Sequence, residues 1–176
     1  KTTEVWLDAG LFPFPFQIVA GTSMQHGTSA PNSVARLGEG FAMLAQDTRG
    51  DSTVISVAGY KPSRISTFAV EAAINGYAVT SDAIGMTHQW RGHEFYMLTF
   101  PSADVTWCYD VMRGKWHKRK SVGVDCWRIG SSANYNNLVL LGDRFNGNIY
   151  SMDTNVYTEN GVETPMMWVT PSDFVD

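Results

Sequence analysis

Apolar and polar residues along this chain fall into short alternating runs separated by turn-forming residues, which is the period-two signature of β-strands. Two units match each other closely. In one, Phe95-Tyr96-Met97-Leu98 leads through Pro101-Ser102-Ala103-Asp104 to Trp107-Cys108-Tyr109-Asp110. In the other, Leu138-Val139-Leu140-Leu141 leads through Asn146-Gly147-Asn148 to Tyr150-Ser151-Met152-Asp153. Each predicts a β-hairpin with a polar turn, and each closes on an aspartate. A third unit at the same offsets, Phe41-Ala42-Met43-Leu44 through Arg49-Gly50-Asp51 to Thr53-Val54-Ile55-Ser56, lacks that aspartate.

The units start 54 and 43 residues apart, and recurrence at roughly 40 to 50 residues is the spacing of β-propeller blades. The longer interval holds Ser66-Thr67-Phe68-Ala69-Val70-Glu71-Ala72-Ala73-Ile74, where Ser66 or Thr67 can cap a helix and apolar residues follow at helical spacing. The expected architecture is therefore all-β and β-propeller-like, with kelch-like four-stranded blades and a short helical insertion. One propeller segment spans residues 1–176: an irregular ribbon over 1–40, a blade with the helical insertion over 41–87, and further blades over 88–130 and 131–176. Three or four blades fall short of the number a closed propeller needs, so a fragment or an assembly is expected.

The strand at Phe95–Phe100 is apolar on both faces, as a central strand sandwiched between blades requires. Tyr109-Asp110, followed by Gly114 and Trp116, forms a kelch-like signature in which the aspartate accepts turn amides and the tryptophan packs between blades. Trp107, Tyr109, Asp110, Gly114, Trp116, Asp143, Gly147 and Asp153 are the expected blade-structure residues. Asn146-Gly147 at a hairpin tip predicts positive φ angles. Near the start, Phe12-Pro13-Phe14-Pro15-Phe16 cannot be helical, because each proline biases its predecessor toward extended backbone. An extended ribbon with its phenylalanines inserted between neighbouring elements is expected, either on its own propeller or against another chain.

Composition adds three constraints. Aromatics are 12% and charged residues only 17% of the 176 residues, a balance that leans toward buried or contacted surface. The net charge of −4 gives no general case for nucleic acid. Cys108 and Cys126 are the only cysteines; Cys108, between Trp107 and Tyr109 on an expected strand, reads as a small buried apolar thiol rather than half of a disulfide, and no apolar run approaches a membrane span. These features fit a soluble protein from a reducing compartment.

One local cluster departs from this background. Arg113, Lys115, Lys118, Arg119 and Lys120 place five of the 13 basic residues within eight positions, beside Trp116 and His117. A solvated loop, a salt-bridged subunit contact and a nucleic-acid contact all remain open for it. Catalytic and metal patterns are absent. His93-Glu94 lacks the second histidine of a zinc helix, His26 has no nucleophile elbow, and Asp143–Asn148 has no acidic residue at calcium-loop spacing. No enzyme, cofactor or metal is expected.

Ile65–Glu71, Ser81-Asp82-Ala83, Gly92–Tyr96, Phe100-Pro101, Thr106–Asp110, Trp116–Arg119 and Gly142-Asp143 together resemble the packaged-DNA stabilisation family of short-tailed phages. Members are also called tail accessory or tail hub proteins. Phe12–Gln17 and Tyr157–Gly161 extend the resemblance over nearly the whole chain. It implies a structural virion protein of the tail, made in the host cytoplasm, which closes the filled head beneath the portal. The implied partners are portal and adaptor proteins, a tail needle, tailspikes and further copies in a ring, a hexamer in the family. Packaged DNA would be held indirectly. Phe12, Phe14, Phe16, Arg113, Lys115, Lys118, Arg119 and Lys120 are the expected contact residues. A stand-alone kelch-like module binding a peptide or glycan is the rival expectation.

Overall fold

A computed structural model describes residues 2–46 and 49–165. Its strands are β1 (Trp6–Asp8), β2 (Phe16–Ile18), β3 (Gly27–Thr28), β4 (Ala35–Leu37), β5 (Gly40–Gln46), β6 (Ser52–Ala58) and β7 (Lys61–Arg64), followed by the helix α1 (Phe68–Asn75). Then come β8 (Ile84–Trp90), β9 (His93–Phe100), β10 (Val105–Asp110), β11 (Lys115–Arg119), β12 (Ile129–Tyr135), β13 (Leu138–Asp143), β14 (Ile149–Ser151), β15 (Thr158–Glu159) and β16 (Val162–Glu163).

Among the described residues three larger antiparallel sheets follow one another, with the two-stranded pair β1–β2 before them and β15–β16 after them. The first runs β3-β5-β6-β7, with β4 beside β3 on the same edge of β5. The second runs β8-β9-β10-β11 and the third β12-β13-β14. The three repeated units form the hairpins β5–β6, β9–β10 and β13–β14, in the order the sequence predicts. Among the described residues the chain adopts the expected all-β architecture with one short α-helix.

Two boundaries differ from expectation. Position 88, expected to open the second blade, lies inside β8, because the alternation that builds this strand starts at Ile84. Residues 1–40, expected to be irregular, contribute β1 through β4, and the last two of these belong to the first sheet. Period-two signals two or three residues long are too short to stand out in a sequence.

The sheets are held face to face by two apolar layers. Between the first and second sheets, Leu44 and Val54 meet Tyr96, Leu98 and Phe100, with Val70 and Ile74 of α1 closing the layer. Between the second and third, Met86, Met97 and Cys108 meet Trp127, Ile129 and Leu141. This explains the double-sided hydrophobicity of β9. Its even-numbered residues face one neighbour and Met97 faces the other. Helix α1 begins at Thr67, whose hydroxyl accepts the Val70 amide at 3.4 Å, and its far end is tied to β6 where the Ser52 amide donates to Asn75 Oδ1 at 2.9 Å.

Candidate functional site

The kelch-like signature residues sit on the β10–β11 hairpin. Asp110 is 6% exposed and organises the turn: its Oδ1 accepts the Arg113 amide at 3.2 Å, its carbonyl accepts the Gly114 amide at 2.8 Å, and its Oδ2 lies 2.9 Å from His93 Nδ1 on β9. Burial pushes the Asp110 carboxyl up, but the turn amides and His93 together hold it below its ordinary value. Gly114 takes φ +61°, a left-handed conformation that suits glycine.

The tryptophans bridge sheets. Trp116 Nε1 donates to the Ile65 carbonyl at 2.8 Å, and Trp107 Nε1 donates to the Tyr77 hydroxyl at 3.1 Å. Trp116 packs edge-on against Trp107 and tilted against Tyr109. The outer part of the second sheet thereby grips the connection on either side of α1.

The basic cluster is not a loop. Lys115–Arg119 form β11, the edge strand of the second sheet, because their alternation sends Trp116 and Lys118 to one face and Arg119 to the other. Arg119 is half-buried, its guanidinium lies 4.5 Å from the Trp127 ring centre, and its Nη1 is 3.5 Å from His88 Nε2. An arginine only donates, so in this contact the histidine nitrogen is the acceptor. His88 is 4% exposed, stacks on Phe95, and is pushed down to about 4, by burial first and by Arg119 second. Lys118 lies over Trp107, Lys120 pairs with Asp125, and Arg113 reaches Asp110. Arg119 is therefore committed to the interior, while Arg113, Lys115, Lys118 and Lys120 remain exposed.

In the third sheet, Asp143 ties its hairpin: Oδ1 accepts the Phe145 amide at 2.8 Å, Oδ2 accepts the Tyr150 hydroxyl at 3.0 Å, and Arg128 Nε lies 3.4 Å from Oδ2. Gly147 is not in the left-handed region, contrary to expectation. Asn146 builds this turn instead, its side-chain oxygen accepting the Asn148 amide at 2.8 Å. Asp153 is exposed two residues beyond β14 and accepts only a local amide, from Asn155. The two closing aspartates thus have different surroundings.

The Phe-Pro ribbon links β1 to β2, and its phenylalanines are not inserted between elements. Phe12 is 97%, Phe14 59% and Phe16 47% exposed. The β1–β2 register pairs Trp6 with Ile18 and Asp8 with Phe16, putting these four on one face. Phe14 packs edge-on against Trp6 and Phe16, with ring centres 6.1 and 5.8 Å away. The placement of Asp8 within this aromatic face escaped the sequence reading, although Trp6 and Asp8 alternate as strand neighbours do.

A polar cleft of about 450 Å³ opens where β4, β8 and β12 approach one another, lined by Arg36, Glu39, Gln89, Glu94 and Asn134. Among the described residues no three His, Cys, Asp or Glu side chains gather where they would hold a metal ion. No described helix is long and apolar enough to cross a membrane.

A family model described as bacteriophage P22 Gp10, beta-propeller, matches residues 1–157. No curated protein matches the chain. Antiparallel sheets in series and the family match agree: the chain belongs to the bacteriophage P22 Gp10 family of structural, β-propeller DNA-stabilisation proteins.

Proposed function

We propose that this protein joins the tail beneath the portal, closes the filled head and retains the packaged DNA by forming a ring of copies that prolongs the portal channel. The observation that carries the reading is the family match over residues 1–157, on a chain whose most apolar hairpin is left in solvent. Retention of pressurised DNA is a mechanical task, met by many contacts acting together rather than by a nucleophile or a shifted pKa. Portal or adaptor subunits, the tail needle and tailspikes are its partners on this reading. Phe12, Phe14 and Phe16 on one element, and Arg113, Lys115, Lys118 and Lys120 on another, are its contact residues. Trp107, Tyr109, Asp110, Gly114, Trp116 and Asp143 keep the blades in register.

Cryo-electron microscopy of the full-length protein mixed with portal and adaptor tests this. Added density as a ring at the tail end of the portal is the expected result. A monomer that ignores the portal would overturn the reading and favour a stand-alone binding module, for which the polar cleft between β4, β8 and β12 is the natural mouth.

A further inference from the structure

Two exposed surfaces of this chain are opposite in charge, and each carries apolar side chains in solvent. The β1–β2 hairpin presents Trp6, Phe14, Phe16 and Ile18 around Asp8, and Glu4 precedes it. From Thr2 to Ala35 there is no lysine or arginine, so this face is acidic as well as aromatic. The β10–β11 edge presents Val111 and Met112 at its turn, Lys118 over Trp107, and Arg113 and Lys115 beside them. It is cationic, with Val111 and Met112 as its exposed apolar side chains and Trp107 half-buried beneath Lys118.

Both surfaces remain exposed within one chain. The hairpin is anchored to the first sheet, where Thr3 and Met24 exchange backbone hydrogen bonds and Met24 packs with Met43. The basic edge belongs to the second sheet. We propose that the acidic aromatic hairpin of one copy docks on the cationic β10–β11 edge of a second copy. This rests on the ring assembly proposed above and names the two surfaces that would make it.

Charge complementarity selects the occupant. A hairpin whose one charged side chain is Asp8, with Glu4 just before it, calls for apolar surface with cations at its border, and the β10–β11 edge supplies both. Aromatic side chains already organised in the free state cost little entropy to bury, and lysine gains by approaching their ring faces. Opposed charges set the register and speed encounter. Because the two surfaces differ, the contact is heterologous, so it repeats head to tail and closes a ring when its rotation closes.

The test is mass photometry of the full chain, alone and with portal and adaptor, across a range of salt concentrations. The Glu4→Lys/Asp8→Lys and Lys115→Glu/Lys118→Glu variants should each weaken self-association at least tenfold, and combining them should restore it. Phe12→Ser should also weaken it, without moving the melting temperature, because Phe12 is already in solvent. These side chains are exposed, and circular dichroism checks that each variant is folded.

If every variant still rings the portal as wild type does, the contact is overturned and the head-closure reading stands. If self-association follows the charge swap but nothing joins the portal, the contact stands and that reading falls. Loss of duplex-DNA binding on Lys115→Glu/Lys118→Glu, with association unchanged, would assign the basic edge to packaged DNA and overturn the proposal.

Discussion

The Tyr96 hydroxyl, buried between the first and second sheets, donates to the Ser33 carbonyl at 2.7 Å. Ser33 is a crossing point: its own hydroxyl donates to the Ala30 carbonyl at 2.6 Å and accepts the Leu44 amide at 3.0 Å. Desolvation drives the Tyr96 phenol well above its ordinary range, so it stays a donor at every working pH. Tyr96→Phe leaves a buried carbonyl without its partner and should cost about 1–3 kcal/mol. Urea unfolding should show a lower midpoint at an unchanged m value.

Gly85 of β8 lies flat against the same residue. A Cβ on Gly85 would fall 2.0 Å from the Ser33 carbonyl oxygen, a backbone atom that no rotamer change can clear. Gly85→Ala should therefore destabilise by about 2 kcal/mol or more through separation of the two sheets. Gly147→Ala is the contrast. Its Cβ meets nothing within 4 Å and its φ is not left-handed, so thermal melting should change by less than about 0.5 kcal/mol.

The strand pattern and its repeat were readable in the sequence because each hairpin carries its own apolar alternation and its own turn. Thr67 and α1 were readable for the same reason, since a cap and the helical spacing that follows it are local signals. What Arg119 does was not readable. Five basic residues in a row of eight look alike until the sheet alternation, together with Trp127 from the next sheet, sends one of them inward. The phenylalanines of the ribbon misled in the other direction. Hydrophobicity alone predicts burial, but a two-stranded hairpin offers nothing to bury them against. Gly147 shows a third limit, because Asn146 and Asp143 supply through side-chain acceptors a turn that glycine was expected to supply through its backbone.

His88 makes stability depend on pH. Its folded value near 4 lies below the 6.5 of an unfolded histidine, so the unfolded chain takes up the proton first. The His88 contribution is complete above pH 6.5 and is lost as pH falls toward 4, by about 2 kcal/mol at pH 5 and about 3 kcal/mol at pH 4. His117, also lowered, by burial first and Arg119 second, acts in the same direction. Asp110 and Asp143 are lowered carboxylates, and their contributions fade only below the ordinary aspartate range. Chemical denaturation between pH 8 and 4 should show the decline, and His88→Phe, which keeps the stack on Phe95, should flatten most of it.

Both cysteine thiols are pushed up to about 11, each by burial before any other influence. Almost no thiolate exists at pH 8, and neither sulfur is open to solvent. A thiol-reactive dye should leave the folded protein unlabelled over the time in which the unfolded chain takes up two equivalents. Prompt labelling of one site in the folded state would show that the layer around Cys108 or the loop at Cys126 opens readily.

Glu71 and Arg64 form an ion pair, yet the two should differ in what they contribute. The arginine side chain is 56% exposed and the carboxylate 13%. Glu71 Oε1 also accepts the Ser66 hydroxyl at 2.6 Å and the Thr53 hydroxyl at 2.9 Å, and Ser66 Oγ in turn accepts the Val54 amide at 2.9 Å. The carboxylate thus pins the start of α1 to the middle of the first sheet, while the arginine closes the arrangement from outside. Glu71→Ala removes the acceptor that both hydroxyls share, leaving them the longer contacts of Thr53 Oγ1 with Ser66 Oγ at 3.1 Å and of Ser66 Oγ with the Val54 carbonyl at 3.3 Å, and should cost about 1–2 kcal/mol. Arg64→Ala removes a solvated partner and should cost less than about 1 kcal/mol. In a double-mutant cycle by urea unfolding, most of the Glu71 loss should persist in the Arg64→Ala background. A loss that vanished there would mean that the surface ion pair, and not the buried hydroxyls, fixes the helix to the sheet.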